Sequence, residues 1–175
     1  MQRKASAFLF SFFMHNSVQK GEVFVNFLEY FRLEESAQFY WLDRISEGDW
    51  RAAKYLAEVL KQNTFQKQYG PDGQIFLLTE GERLVSFCTC VPQDEILNSN
   101  LFPWIGFVYT FPSFRGHRYS QILIDHVCSC AKKQGYTKIY LSSDEHGLYE
   151  KYGFVPLPPM KTRSGNTTHV FFRKL

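Results

Sequence analysis

The chain has 175 residues, 45% of them hydrophobic and 18% aromatic, with 18 Phe and 10 Tyr. That length fits one domain with a substantial core, and the aromatic share points to a rigid interior and aromatic-lined surfaces. The formal net charge is +3, from 20 Lys and Arg against 17 Asp and Glu without a long basic run. So small and scattered a charge gives no footing for nucleic-acid binding.

Residues 1–14 read M-Q-R-K-A-S-A-F-L-F-S-F-F-M. A basic start before an apolar run imitates a signal peptide, but 5–14 is far shorter than the roughly 20 residues that span a bilayer. His15-Asn16-Ser17 offers no small-residue cleavage site. A packed segment, a membrane-surface contact or an overlong start with Met14 as the true beginning remain open. Residues 23–33 set Phe24, Phe27, Leu28 and Phe31 on one helical stripe, so an amphipathic helix is expected there. Phe39-Tyr40-Trp41-Leu42 reads as a first strand. Asp49 is expected to cap a helix over 50–61, whose apolar stripe is Ala53, Leu56, Ala57 and Leu60. Residues 63–69 are less regular, and Gly70-Pro71-Asp72-Gly73 is a turn. A hairpin follows, with strands over 74–79 and 83–91. Loops over 92–95 and 98–103 lead to a central strand that begins at Trp104.

Phe107 to Ser120, F-V-Y-T-F-P-S-F-R-G-H-R-Y-S, organises the rest. The aromatic and β-branched run is a strand, and Pro112 ends it because it has no N–H for the ladder. Ile122, Leu123, Val127 and Ala131 then recur at helical spacing. Strand, tight loop and helix put unpaired N–H groups and the positive end of a helix dipole beside Arg115, His117 and Arg118. Such a place holds an anion, most naturally a phosphate, although the loop by itself reads equally as a solvated basic helix start.

Beyond it, Gly135 ends the helix and a strand is expected over 138–141, making a right-handed parallel crossover. A short helix is expected over 145–152. A strand from Val155 is soon interrupted by Pro156, Pro158 and Pro159, a polar turn follows over 163–167, and the last strand is 168–173. The four cysteines form two C-x-C pairs, Cys88/Cys90 and Cys128/Cys130. In a strand the first pair shares a face, but in a helix the second pair points roughly 200° apart. Buried free thiols are therefore expected, not a metal site.

P-x-x-R-G-x-x-x-S before an amphipathic helix resembles the coenzyme A pyrophosphate loop of the GNAT superfamily of N-acetyltransferases. That loop is usually Gln/Arg-x-x-Gly-x-Gly/Ala. Arg115 matches its first position, Ser120 is the small residue at its last, and Arg118 stands where glycine is usual. Downstream, Leu148-Tyr149-Glu150-Lys151-Tyr152-Gly153-Phe154 is similar to the family's L-Y-x-x-x-G-F signature, in the right order and at the right distance. The two together are far more specific than either alone, and the resemblance covers roughly residue 38 onward.

The resemblance implies an α/β (α+β) fold: a mixed, mostly antiparallel sheet flanked by helices, with a splayed central parallel strand pair. It implies an N-terminal extension over 1–36 and one N-acetyltransferase domain over 37–175. It implies acetyl-CoA as cosubstrate with no metal, its phosphates on Arg115, Gly116, His117, Arg118, Tyr119 and Ser120. Its pantetheine arm would lie along the backbone of Val108, Tyr109 and Thr110, touching Ser142 or Ser143. Acetyl transfer needs a neutral amine, a donor for the carbonyl oxygen and a proton for the departing sulfur. Tyr149 matches the tyrosine placed near that sulfur, so it is the expected general acid, while Tyr152 reads as structural. Asp94 and Trp104 on the acceptor side, and Glu145 before the tyrosine, are candidate substrate residues. Glu95, Asp144 and His146 are further candidates for the base. The expected acceptor is the primary amine of a small molecule or peptide. A cytoplasmic location with no nucleic acid and no membrane span follows, and a homodimer is left open. The competing reading is a non-catalytic acyl-CoA-binding regulatory module. A nucleotide-binding domain is disfavoured by the lack of G-x-x-x-x-G-K-[ST] and G-x-G-x-x-G.

Overall fold

The computed structural model describes residues 17–20, 23–96 and 100–175; the basic-apolar start and part of the 98–103 loop lie outside them. Its elements in chain order are β1 (Ser17–Lys20), β2 (Val23–Glu29), α1 (Glu35–Ser46), α2 (Arg51–Lys61), α3 (Phe65–Tyr69), β3 (Gln74–Glu80), β4 (Arg83–Val91), β5 (Trp104–Thr110), α4 (Tyr119–Lys133), β6 (Lys138–Ser142), β7 (Val155–Lys161) and β8 (Thr167–Lys174). The strands form one eight-stranded sheet in the order β1-β2-β3-β4-β5-β6-β8-β7. Its pairs are antiparallel except β5–β6, as expected for a mixed sheet with one central parallel pair.

Two layers cover the two faces. On one, Leu123, Ile124, Val127 and Ala131 of α4 meet Val25, Phe27, Phe76, Leu78, Val85 and Cys88. On the other, Trp41, Leu42 and Ile45 of α1 and Ala53, Leu56 and Ala57 of α2 meet Leu28, Ile75, Leu77, Phe87 and Trp104. The alternation of strands β3 and β4 supplies both faces at once, so these strands are apolar throughout.

Four expectations about local structure are corrected. Residues 23–29 are a strand, not a helix: Val25 and Phe27 face α4, Leu28 faces α1, and Phe24 is 59% exposed. The apparent helical stripe came from a strand buried on both faces. Residues 39–42 lie inside α1, where Trp41, Leu42 and Ile45 are buried and Phe39 is exposed, a helical pattern that overrides β propensity. Residues 145–149 are loop, with only a 3-10 turn at Glu150–Tyr152. Gly147 adopts φ +75° there, and the Ser143 hydroxyl takes the N–H of Glu145, a local bond that competes with helix. The prolines do not stop β7, because it is the edge strand and is itself bulged at Pro158 and Pro159, which together oppose His169 of β8. Residues 65–69 also close into the short helix α3.

Candidate active site

β5 pairs with β6 only through Trp104↔Tyr140 and Ile105↔Leu141. Beyond Ile105 the two strands part, and the β6 side of Val108, Tyr109 and Thr110 opens into the gap. A bulge drives the parting: β4 and β5 register Phe87 with Tyr109 and Thr89 with Gly106, so Phe107 and Val108 together oppose Cys88. Phe107 sits at φ +49°, a conformation that costs a non-glycine residue about 1 kcal/mol.

After Thr110 the chain makes a 3-10 turn at Pro112–Phe114 and enters the loop. Gly116 has φ +80° and Arg118 φ +58°. Arg118 is thus an arginine in the left-handed conformation that glycine takes without strain, and it serves as N-cap of α4 without a side-chain cap bond. The turns bring loop amides and the first N–H groups of α4 to one place, a nest for an anion. His117 and Arg118 are exposed beside it, while Tyr119 is buried. Ser120 shares a hydrogen bond with the Tyr152 hydroxyl at 2.9 Å, which ties the helix start to the tyrosine turn.

Arg115 is directed elsewhere. Its Nε donates to the Thr110 carbonyl at 3.0 Å, and its Nη2 lies 3.2 Å from Asp49 Oδ1. Asp49 is therefore not the cap of α2; Trp50 holds that position. The Asp49 carboxylate instead accepts the Tyr109 hydroxyl at 2.6 Å, which holds its pKa below the usual range, with the nearby Arg115 adding to the effect. The chain of Arg115, Asp49 and Tyr109 links the anion loop to the α1–α2 junction on the other face of the sheet.

Tyr149 is 7% exposed, set among Tyr152, Phe154 and Phe171. Gly153 at φ +82° lets the Phe154 N–H return to the Tyr149 carbonyl at 3.0 Å, which fixes the ring. Burial pushes the phenol up to about 12, against a hydrogen bond to Ser143 that pulls it down. At neutral pH it is a donor. Ser142, next to Ser143 at the end of β6, donates to Asp94 Oδ2 at 2.9 Å. Asp94 has its pKa raised by burial, although the Glu95 N–H, Ser142 and Arg163 favour its charged form. Glu145 is exposed near Tyr149.

The structure therefore gathers Val108, Tyr109, Thr110, Ser142, Tyr149 and Asp94 around the gap, with Gly116, His117, Arg118 and Ser120 at the helix end. Arg115, at the start of the same loop, pairs with Asp49. Trp104 is 1% exposed, its indole N–H on the Leu101 carbonyl, and so belongs to the core. Trp50, Tyr55, Tyr69 and Phe107, which sequence reasoning did not single out, meet by ring contacts on the α1–α2 face; no local motif joins them. A cavity of about 310 Å³ lies at the opposite end of α4, lined by Gln74, Cys90, Cys130, Gln134 and Tyr136, away from the loop. The cysteines are free thiols, and burial pushes Cys90 up to about 12 and Cys128 to about 11. Among the described residues no helix is long and apolar enough to cross a membrane.

The sequence model of the acetyltransferase (GNAT) family matches residues 27–154. Among solved structures, the fold is similar to one described as an acetyltransferase of the GNAT family from Desulfovibrio desulfuricans, with TM-score 0.62 and 13% identity over 86% of this chain and 98% of that one. It is similar to Escherichia coli ElaA, with TM-score 0.56 and 20% identity over 85% and 99%. It is also similar to a GNAT family acetyltransferase from Elizabethkingia anophelis with acetyl-CoA bound, with TM-score 0.55 and 15% identity over 86% and 98%. At these identities the likeness is one of fold. No curated protein matches the sequence.

Proposed function

The chain belongs to the acetyltransferase (GNAT) family, and on that premise we propose that it is an acetyl-CoA-dependent N-acetyltransferase acting by direct attack of a primary amine. The observation that carries this reading is the convergence of a nest at the start of α4, an open strand edge past Ile105 and a buried, protonated Tyr149. Acetyl-CoA supplies an activated acyl thioester. The loop amides and the exposed His117 and Arg118 suit its phosphates. The open edge of β5 suits amides of an extended arm, added as a strand would be. In the transfer the N–C bond forms as the C–S bond breaks, the amine gives up a proton, and the sulfur takes one. Tyr149 is the proposed donor to the sulfur, and Asp94 the proposed acceptor of the amine's proton.

The test is calorimetric titration with acetyl-CoA together with an assay of thiol release on an amine panel. Wild type is expected to bind acetyl-CoA. Tyr149→Phe is expected to keep that affinity within about twofold but to lose about 10²-fold in kcat, the size of one general-acid contribution. Absence of acetyl-CoA binding would sink the reading. Binding without transfer to any amine would leave a binding module.

A further inference from the structure

On the face of the sheet opposite α4, rings from α2 and its N-cap, from α3 and from β5 gather around the strand that parts from β6. Phe107 is the hub: it lies 6.5 Å from Trp50, 6.5 Å from Tyr55 and 5.7 Å from Tyr69, ring centre to ring centre. Tyr55 stacks on it within 15° of parallel and Tyr69 meets it edge-on. Trp50 is 40% exposed and Tyr55 50%, a large aromatic surface left in water beside the site where the acyl group would sit. Interior aromatics need no such exposure, and ring faces attract hydrocarbon and cations alike.

The charged groups nearest this wall are mainly carboxylates. Four protons at or near it are engaged: Tyr55 donates to Gln68, Tyr109 to Asp49, Trp104 to Leu101 and Ser142 to Asp94. Two acceptors stand beside it, the carboxylates of Asp94 and Glu95, both within electrostatic reach of Tyr69. Arg163 stands near Asp94 as the cation of the adjoining turn. An ammonium only donates, so it matches this set. A polyhydroxylated acceptor carries more hydroxyls than two carboxylates can engage, and the rest would lose their bonds to water against ring faces.

We propose that the acceptor is a small primary amine on an aromatic or aliphatic hydrocarbon skeleton, packed on Trp50, Tyr55, Tyr69 and Phe107 with its nitrogen at Asp94. This rests on the acetyl-transfer reading and names its substrate class. Amino sugars fall outside that class.

The experiment compares 2-phenylethylamine with glucosamine as acceptors, for wild type, Trp50→Ala and Trp50→Phe. Thiol release gives kcat and KM; separate titrations follow quenching of tryptophan fluorescence by each amine and calorimetric binding of acetyl-CoA. Wild type should prefer 2-phenylethylamine by about tenfold or more in kcat/KM. Trp50→Ala should raise its KM about tenfold with acetyl-CoA affinity unchanged, the loss of one ring contact and its burial. Trp50→Phe should recover most of that loss, which also guards against a folding defect. Equal use of glucosamine, or a KM unmoved by Trp50→Ala in a protein that still binds acetyl-CoA, would overturn the acceptor assignment alone. Amine binding that follows Trp50 in a protein that does not bind acetyl-CoA would instead sink the transferase reading and leave the amine site standing.

Discussion

The two faces of the sheet hold their functional groups in different ways. On the α4 face the candidate site is mostly backbone: positive φ angles at Gly116, Arg118 and Gly153 aim amides and one ring, and the side chains beneath are hydrocarbon, thiol and phenol. On the α1–α2 face the site is side chain: Asp49, Trp50, Tyr55, Tyr69 and Phe107 come from distant segments and meet through ring contacts and one ion pair. A backbone site is expected to tolerate substitution, and Arg118 stands there in a glycine-like conformation. A side-chain site is not, because each ring is its own partner's support.

Acid should break the comparison from the α4 side. His126 stacks on Phe27 at 3.9 Å, and burial, aided by Lys133, lowers its pKa to about 4. The unfolded chain holds the proton at the ordinary value near 6.5, so between about pH 6.5 and 4 it binds more protons than the folded one. Stability is full above that window and falls as pH drops through it, by about 2 kcal/mol once partial exposure is allowed for. Urea unfolding of wild type at pH 7 and pH 4.5 should show that loss, and His126→Phe should flatten it. An equal loss in the variant would place the acid sensitivity elsewhere.

Arg115 is the link between the faces. Arg115→Ala is expected to weaken acetyl-CoA binding by about tenfold, through the released Thr110 carbonyl and loop, and to raise the acceptor KM as well. Calorimetry and initial rates on one preparation read both. If Arg115 were solely a phosphate ligand, only the first would move. The smallest effect sharpens the claim that the nest is backbone: Arg118→Gly should change acetyl-CoA affinity by no more than about threefold while reducing its dependence on salt. A loss of tenfold or more would make the guanidinium the main anion contact.

The legible parts of this protein were those whose geometry is local. The strand–loop–helix unit through 115–120 was readable because a few consecutive residues carry its conformation, whereas the helix expected over 145–152 is loop and a 3-10 turn. β3, β4, the helix over 51–61 and α4 were readable because their period is unambiguous. β2 and the helix over 35–46 exchanged types, since a strand buried on both faces imitates a helical stripe and an aromatic run imitates a strand. Asp49 read as a cap because that is what its neighbours suggest; its bond to Tyr109, 60 positions on, leaves no trace in spacing.

By itself the sequence determined the strand–loop–helix unit, the tyrosine motif and the family they resemble, because covalent neighbours and backbone propensity decide them. The tertiary structure alone decided which way the rings point. Strict alternation from Trp104 would put Phe107 and Tyr109 with Ile105 on the α4 face. The bulge inserts one residue, so Phe107 and Tyr109 turn with Trp104 to the α1–α2 face and Val108 joins Ile105. A side-chain period of two makes one added residue enough to move a whole aromatic set across the sheet, and only the pairing with β4 specifies where that residue goes.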